Sequence, residues 1–190
     1  MKRFRVLSLC VITALCMAVG CLALTGCSSA EDDEAAIKEA LSAQFDRLKN
    51  LDDATVDEIS QAIGNNELSN LGIAPADFAK AYLDGFDYSV QSVKVDGDSA
   101  TATVTVTCKS LKEFETSLTT MANEYIADSG NWEKSEEQIY QEIGAKTMES
   151  LKSVSTATTS PLDLRFTKSS GEWSPDASNE STITNAMIAL

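Results

Sequence analysis

Ala100-Thr101-Ala102-Thr103-Val104-Thr105-Val106-Thr107-Cys108-Lys109 is the stretch from which the fold is read. Its residues alternate without a break, small or apolar at even positions and threonine or lysine at odd ones. Side chains of a strand point alternately to opposite faces, so this segment is a strand with one buried face and a threonine ladder on the other. Just upstream, Asp96-Gly97 is a two-residue hairpin signal. Before it, Phe86, Tyr88 and Val90 share one parity while Val93 and Val95 take the other, which predicts a bulge near Gln91-Ser92 in the partner strand.

Around this hairpin the period changes to that of helices. Ile37, Leu41, Phe45, Leu48 and Leu51 predict an amphipathic helix over Glu34 to Asn50. Thr55-Val56-Asp57-Glu58 has the form of a capping box opening a second helix, which weakens at Gly64 or Asn65-Asn66. Gly72 stops a turn at Leu68 to Leu71. Pro75 suits the first position of a third helix that ends at Gly85.

Downstream, Ser110-Leu111-Lys112-Glu113 opens a fourth helix with the stripe Leu111, Phe114, Leu118, Met121 and Tyr125, breaking at Ser129-Gly130. The fifth carries Trp132, Ile139, Tyr140, Ile143, Leu151 and Val154, and residues 110 to 154 are expected as a helical hairpin over the sheet. Residues 153 to 160, rich in serine and threonine, read as a linker. Leu162, Leu164 and Phe166 form a third strand, turned at Ser169-Ser170-Gly171 into a fourth around Trp173, with Pro175 confining that strand to an edge or an end. Ile183, Met187 and Ile188 give the tail a weak helical period. The fold class is therefore α+β: an antiparallel sheet of about four strands in two hairpins, with amphipathic helices packed against it.

The first residues carry a different message. Lys2, Arg3 and Arg5 precede an apolar run from Val6 to Leu24, the pattern of a signal peptide. The run is long enough for an uncleaved anchor as well. Leu24-Thr25-Gly26-Cys27 resembles the lipobox of bacterial lipoprotein precursors. That resemblance implies cleavage after Gly26, a diacylglyceryl thioether on Cys27 and attachment to the outer face of the cell membrane. The expected organisation is a signal peptide over 1–26, a lipidated cysteine with an acidic, solvated tether over 27–34, and one extracytoplasmic domain over 35–190.

Cleavage removes three cations and leaves 12 against 29 acids, a formal charge of −17 that disfavours nucleic acid as a partner. The chain contains no histidine, which excludes Ser-His-Asp triads, histidine acid–base catalysis and histidine-bearing zinc sites. Of five cysteines, Cys10, Cys16 and Cys21 leave with the signal peptide and Cys27 is blocked, so Cys108 has no partner for a disulfide within the mature chain.

Gly85-Phe86-Asp87-Tyr88, Val93-Lys94-Val95-Asp96-Gly97-Asp98-Ser99-Ala100 and Gly171-Glu172-Trp173 resemble Gram-positive bacterial lipoproteins whose domains look like the cystatin or nuclear-transport-factor-2 fold. The likeness extends loosely over residues 34 to 175. The two long helices between the hairpins depart from it and leave the strand order open.

Few residues point to chemistry. Asp96-Gly97-Asp98 lacks the further ligands of a calcium loop and reads as a turn. The acids of 31–34 and Asp52-Asp53 suit helix N-termini, and no metal or cofactor is called for. Asn179-Glu180-Ser181 matches a glycosylation sequon by chance. Cys108 lies on the apolar parity of its strand and reads as a small buried hydrophobe.

Tyr82, Tyr88, Tyr125 and Trp132 are the candidate ligand-binding residues, lining either plain core or a cavity between helices and sheet. Two functions follow. The first is a non-enzymatic binding or protein-interaction module at the envelope, contacting an envelope protein or a small apolar ligand. The second is a nuclear-transport-factor-2-type pocket enzyme, a hydrolase or isomerase pairing a carboxylate such as Asp84 with Tyr88 or Tyr125.

Overall fold

The computed structural model describes residues 29–63 and 68–190 and has the expected α+β class. Six α-helices accompany a five-stranded antiparallel sheet: α1 (Ala30–Lys49), α2 (Asp53–Ile63), a short 3-10 turn (Ser69–Leu71), α3 (Pro75–Leu83), β1 (Asp87–Asp96), β2 (Ser99–Lys109), α4 (Leu111–Ala127), a second 3-10 turn (Ser129–Glu133), α5 (Glu136–Ser153), β3 (Thr156–Thr158), β4 (Leu162–Ser169), β5 (Glu172–Pro175) and α6 (Ser178–Ile188).

The alternating segment is the middle of the sheet. β2 pairs with β1 along one edge and with β3 and β4 along the other, in the order β1-β2-β4-β5. Ala102, Val104, Val106 and Cys108 are fully buried, while Thr101, Thr103, Thr105 and Thr107 are half-buried on the open face. There Thr103 Oγ1 donates to Asp163 (3.0 Å), and the Thr107 and Thr158 hydroxyls lie 2.7 Å apart. The register of β1 shifts between Val90 and Ser92. This bulge sets Tyr88 and Val90 opposite Val106 and Val104, then Val93 and Val95 opposite Ala102 and Ala100, so both parities meet the same buried face.

Four details differ from the sequence reading. The first hairpin turns one residue later than expected: Asp96 pairs with Ser99, leaving Gly97-Asp98 at the corner with Gly97 at φ +61°. The second uses Ser170-Gly171, both at positive φ, the conformation a type I′ turn requires. The cap of α2 is Asp52, whose carboxylate accepts from the Thr55 backbone N–H (2.7 Å), and not Thr55. Residues 156–158, read as linker, form β3. Thr159 then continues the pairing, its N–H donating to Val106 O and its hydroxyl accepting from Val106 N, before Pro161 interrupts the edge.

A further difference concerns the tether. α1 begins at Ala30, with Ser29 and Asp32 forming a reciprocal capping box, so 30–34 are its first turn and not extended chain. The acids of this turn complement the helix dipole, and Asp33 starts the buried stripe that continues as Ile37, Leu41, Phe45 and Leu48. Burial of Asp33 is possible because Lys168 on β4 meets it at 2.7 Å.

The core lies between the buried face of the sheet and helices α1, α3 and α6, with Trp173, Phe166, Leu164 and Met187 fully buried. The α4–α5 pair was expected to cover the sheet. Its main contacts are instead with other helices: α5 packs on α3 and the first 3-10 turn, and α4 on α5 and α6, with Phe114 meeting Phe78 across 6.4 Å. The reason is the buried face of α5, which is Gly144, Thr147, Ser150 and Leu151 rather than Ile139, Tyr140 and Ile143. Small residues let its backbone approach a neighbouring helix closely.

Candidate functional site

The tyrosines do not converge. Tyr82, on the sheet-facing side of α3, is buried in the core; its hydroxyl has no hydrogen-bond partner. Burial pushes its phenol pKa far up, and the neighbouring Cys108 adds to the shift. Tyr88 lies on β1 and reaches α1: its ring stacks on Phe45 at 4.9 Å, and its hydroxyl lies 2.8 Å from the Asp46 carboxylate and 3.1 Å from Ser42 O. Loss of solvent and the Asp46 carboxylate both raise its pKa. Tyr125, on α4, donates to Glu142 on α5 (3.0 Å), with the Lys134 ammonium 5.8 Å above its ring. Lys134 and Tyr125 together hold Glu142 below the usual carboxylate range. Cys27 and the Trp132 side chain lie outside the described residues.

The carboxylate–tyrosine pairs are thus Asp46 with Tyr88 and Glu142 with Tyr125, each tying two elements together; Asp84 makes neither. Cys108 sits where strand alternation places it, fully buried, and burial pushes its thiol up to about 11. Asn179 is also buried, its amide bonding the backbone N–H and C=O of Arg165 at 2.8 Å each, so the sequon asparagine is spent on holding α6 to β4. Among the described residues no group of histidine, cysteine, aspartate or glutamate is placed to hold a metal ion.

A cavity between helices and sheet, the place expected for an apolar ligand, amounts to about 20 Å³ beside Leu41, Gln44, Leu164 and Ile183. That is room for roughly one water. A sizeable concavity lies elsewhere among the described residues, on the helical side. A groove of about 840 Å³ runs between α3 and α5. Asp77, Lys80 and Asp84 recur at helical spacing along one wall, and Gln141, Met148 and Lys152 along the other. Ile73, Ala74, Ala81 and Ala145 add apolar surface between them. A second concavity of about 600 Å³ adjoins it through Gly72 and Gln141 and includes the exposed Tyr140.

Two glycines shape this groove. Gly72 ends the 3-10 turn at φ +67°, a conformation that disfavours other residues. Gly144 faces that turn so closely that a methyl group there would sit 1.8 Å from the Leu71 carbonyl oxygen. The groove escaped sequence reasoning because its walls join segments about 65 residues apart. The available signal was Gly144 itself, a glycine inside a helical pattern at the spacing of Thr147 and Ser150.

Comparison with known proteins gives one structural likeness to report. The fold is similar to that of YcdA, described as a putative lipoprotein, from Bacillus subtilis: 16% of residues are identical, the match covers 77% of this chain and 46% of that one, and the TM-score is 0.41. The chain therefore spans about half the length of that protein. No family model matches the sequence, and no curated protein does. Among the described residues no helix is long and apolar enough to cross a membrane.

Proposed function

We propose that the protein is a lipid-anchored, extracytoplasmic and non-enzymatic module that binds a polypeptide segment of another envelope protein in the α3–α5 groove. The observation that carries this reading is the groove's construction: two helix walls, an apolar strip and charges of both signs along the rims. Such a surface suits a helix or an extended segment with an apolar edge and polar flanks. A small apolar ligand is the weaker candidate, because its affinity comes from burying most of its surface, whereas this groove is open along its length. The anchoring half of the proposal rests on Leu24-Thr25-Gly26-Cys27 behind the cationic and apolar segments.

We also read the domain as a variant of the cystatin or nuclear-transport-factor-2 arrangement, in which α4 and α5 enter between the two hairpins and supply one wall of the groove. The ligand site then moves from the cone between helix and sheet to the back of the helical layer.

Site-specific photocrosslinking in cells tests the binding reading. Crosslinkable residues at Lys80 and Gln141 are expected to capture one discrete partner, while the same residue at Thr103 on the open face of the sheet captures none. Equal capture at all three positions, or capture at Thr103 alone, would refute the assignment of the groove. Replacing Cys27 with Ala tests the anchor separately: incorporation of labelled fatty acid is expected to vanish.

A further inference from the structure

The start of α1 is pinned to one end of the sheet. Asp33, 4% exposed, pairs with Lys168, and Glu34 Oε1 accepts from the Val95 backbone N–H at 3.3 Å. The Lys168 backbone N–H in turn donates to Asp98 O at 2.8 Å. The first turn of α1, the Gly97-Asp98 corner and the Ser170-Gly171 corner therefore share one end of the domain. The opposite end holds the last residue of α1, where Lys49 Nζ lies 2.8 Å from Asp87 at the start of β1. It also holds Lys109 at the end of β2, which donates to Val154 O at 3.0 Å. Twenty helical residues at 1.5 Å each separate the two ends by about 30 Å.

Cys27 is two residues from Ser29, the N-cap of α1. Two residues of fully extended chain span at most about 7 Å. A lipid on Cys27 thus has almost no slack before the chain is held by the capping box and the Asp33–Lys168 pair.

We propose that the domain stands on the membrane by this end, with the Gly97-Asp98 and Ser170-Gly171 corners against the lipid headgroups. The Asp84–Lys152 end of the groove, next to Gly85 and Val154, is then held about 30 Å out, facing partners rather than lipid. The inference rests on reading Cys27 as the lipid attachment site. The membrane-facing end exposes Glu31, Asp32, Asp96, Asp98 and Glu172, with the exposed Lys94 beside them and Lys38 further along α1. Anionic headgroups repel such a surface, so it touches the headgroup layer without entering it and the contact is maintained by the short covalent link.

The test uses the full-length protein processed in its membrane, solubilised and returned to phosphatidylcholine vesicles containing lipid with a nitroxide on the headgroup. A fluorophore is attached to Asp98→Cys or Glu172→Cys at the near end, and to Asn50→Cys or Lys112→Cys at the far end. The buried Cys108 does not compete for label. Because the nitroxide quenches only at short range, the near-end dyes are expected to lose about half their intensity and the far-end dyes almost none, given the roughly 30 Å between them. A spacer of about ten Gly/Ser residues inserted before Ser29 adds roughly 17 Å of reach and should remove most of the difference. Equal quenching at both ends, or a difference that survives the spacer, overturns the proposed orientation while leaving the anchor intact. Mass spectrometry of the same sample reports the anchor: an unlipidated Cys27 overturns the anchoring and this arrangement together.

Discussion

Gly144→Ala reverses an ordinary expectation. Replacing a glycine inside a helix by alanine usually stabilises by about 1 kcal/mol, because alanine loses less backbone freedom on folding. At position 144 the added methyl would lie 1.8 Å from the Leu71 carbonyl oxygen and 2.9 Å from the carbonyl carbon. Carbon atoms settle at about 3.5 to 4 Å, so α5 and the 3-10 turn must separate by well over 1 Å. The obstacle is backbone, which cannot rotate aside as a flexible side chain would. Overpacking of this kind costs about 1 to 3 kcal/mol. Taking about 3 for a backbone clash and subtracting about 1 for propensity leaves a net loss of about 2 kcal/mol. For a chain of this size each kcal/mol lowers Tm by about 2 to 4 °C, so a fall of about 4 to 8 °C is expected in thermal melts followed by circular dichroism. Ala145→Gly, one residue along and exposed, serves as the propensity control and should cost about 1 kcal/mol. If Gly144→Ala melts at or above the wild-type temperature, the close approach of α5 to Leu71 is wrong, and the wall of the proposed groove goes with it.

Val104→Asp should prevent folding, because it buries an unpaired charge worth several kcal/mol in a domain whose total stability is about 5 to 15; Thr103→Asp, half-exposed on the other face, should leave a cooperative melt, and equal damage from both would mean that the open face is covered. Tyr82→Phe removes a buried hydroxyl that has no partner, so Tm should stay level or rise, and a loss of about 1 kcal/mol or more would reveal a bond to that hydroxyl. Native Cys108 should resist thiol reagents at pH 8, where a thiol pushed up to about 11 is protonated as well as buried, and react once denaturant exposes it. Asp52 and Asp176 have carboxyl pKa values held below the usual range by bonds to Thr55 and Ser178 respectively. Their contributions are complete above the unfolded carboxylate pKa and vanish as pH falls through the lower folded values, so Asp52→Asn should flatten the loss of stability below about pH 4 seen in acid titration.

The sheet was legible because its signal is local. Strand alternation over 100–109 needs no tertiary information, and the parity change at Gln91-Ser92 reports a bulge for the same reason. The α+β class and both hairpins follow from those patterns. What was not legible depended on partners distant in sequence. Asp33 looks like solvated tether until Lys168, 135 residues later, is placed beside it. Thr156–Thr158 carries no apolar alternation and becomes a strand because the far end of β2 has an open edge. The α5 stripe holds at Leu151 and Val154 but not in its first half, because Ile139, Tyr140 and Ile143 are larger than Gly144 and Thr147 and periodicity weighted by hydrophobicity chooses the larger set. Of the candidate site, the burial of Cys108 and Tyr82 could be read from their stripes. The groove could not be read from periodicity, since it is formed between two helices whose outward faces each look like ordinary solvated surface; Gly144 is its one local signal.

Placement of the small residues and placement of the charges lead to the same division of labour. On the sheet side, the cavity described at the core face holds about 20 Å³, and the other face is a ladder of threonines of which Thr103 and Thr107 pair with Asp163 and Thr158. Tyr88, Tyr125 and Asn179 spend their polar groups on holding α1 to β1, α4 to α5 and α6 to β4. In the proposed reading, recognition then falls to the helical side. There, Gly144 lets α5 approach the turn at Leu71 while Lys80, Asp84 and Lys152, all exposed, line the groove. A partner segment laid in it would be selected by two signs of charge at fixed spacing as well as by an apolar strip, and mismatched charge would exclude competitors. Exchanging Lys80 and Asp84 preserves net charge while reversing that pattern, at a small cost in helix stability because Asp84 is the C-cap of α3 and Lys80 lies in its last turn. Crosslinking from Gln141 is then expected to fall while a cooperative melt is kept with Tm lowered by a few degrees, whereas undiminished crosslinking would show that the apolar strip alone selects the partner.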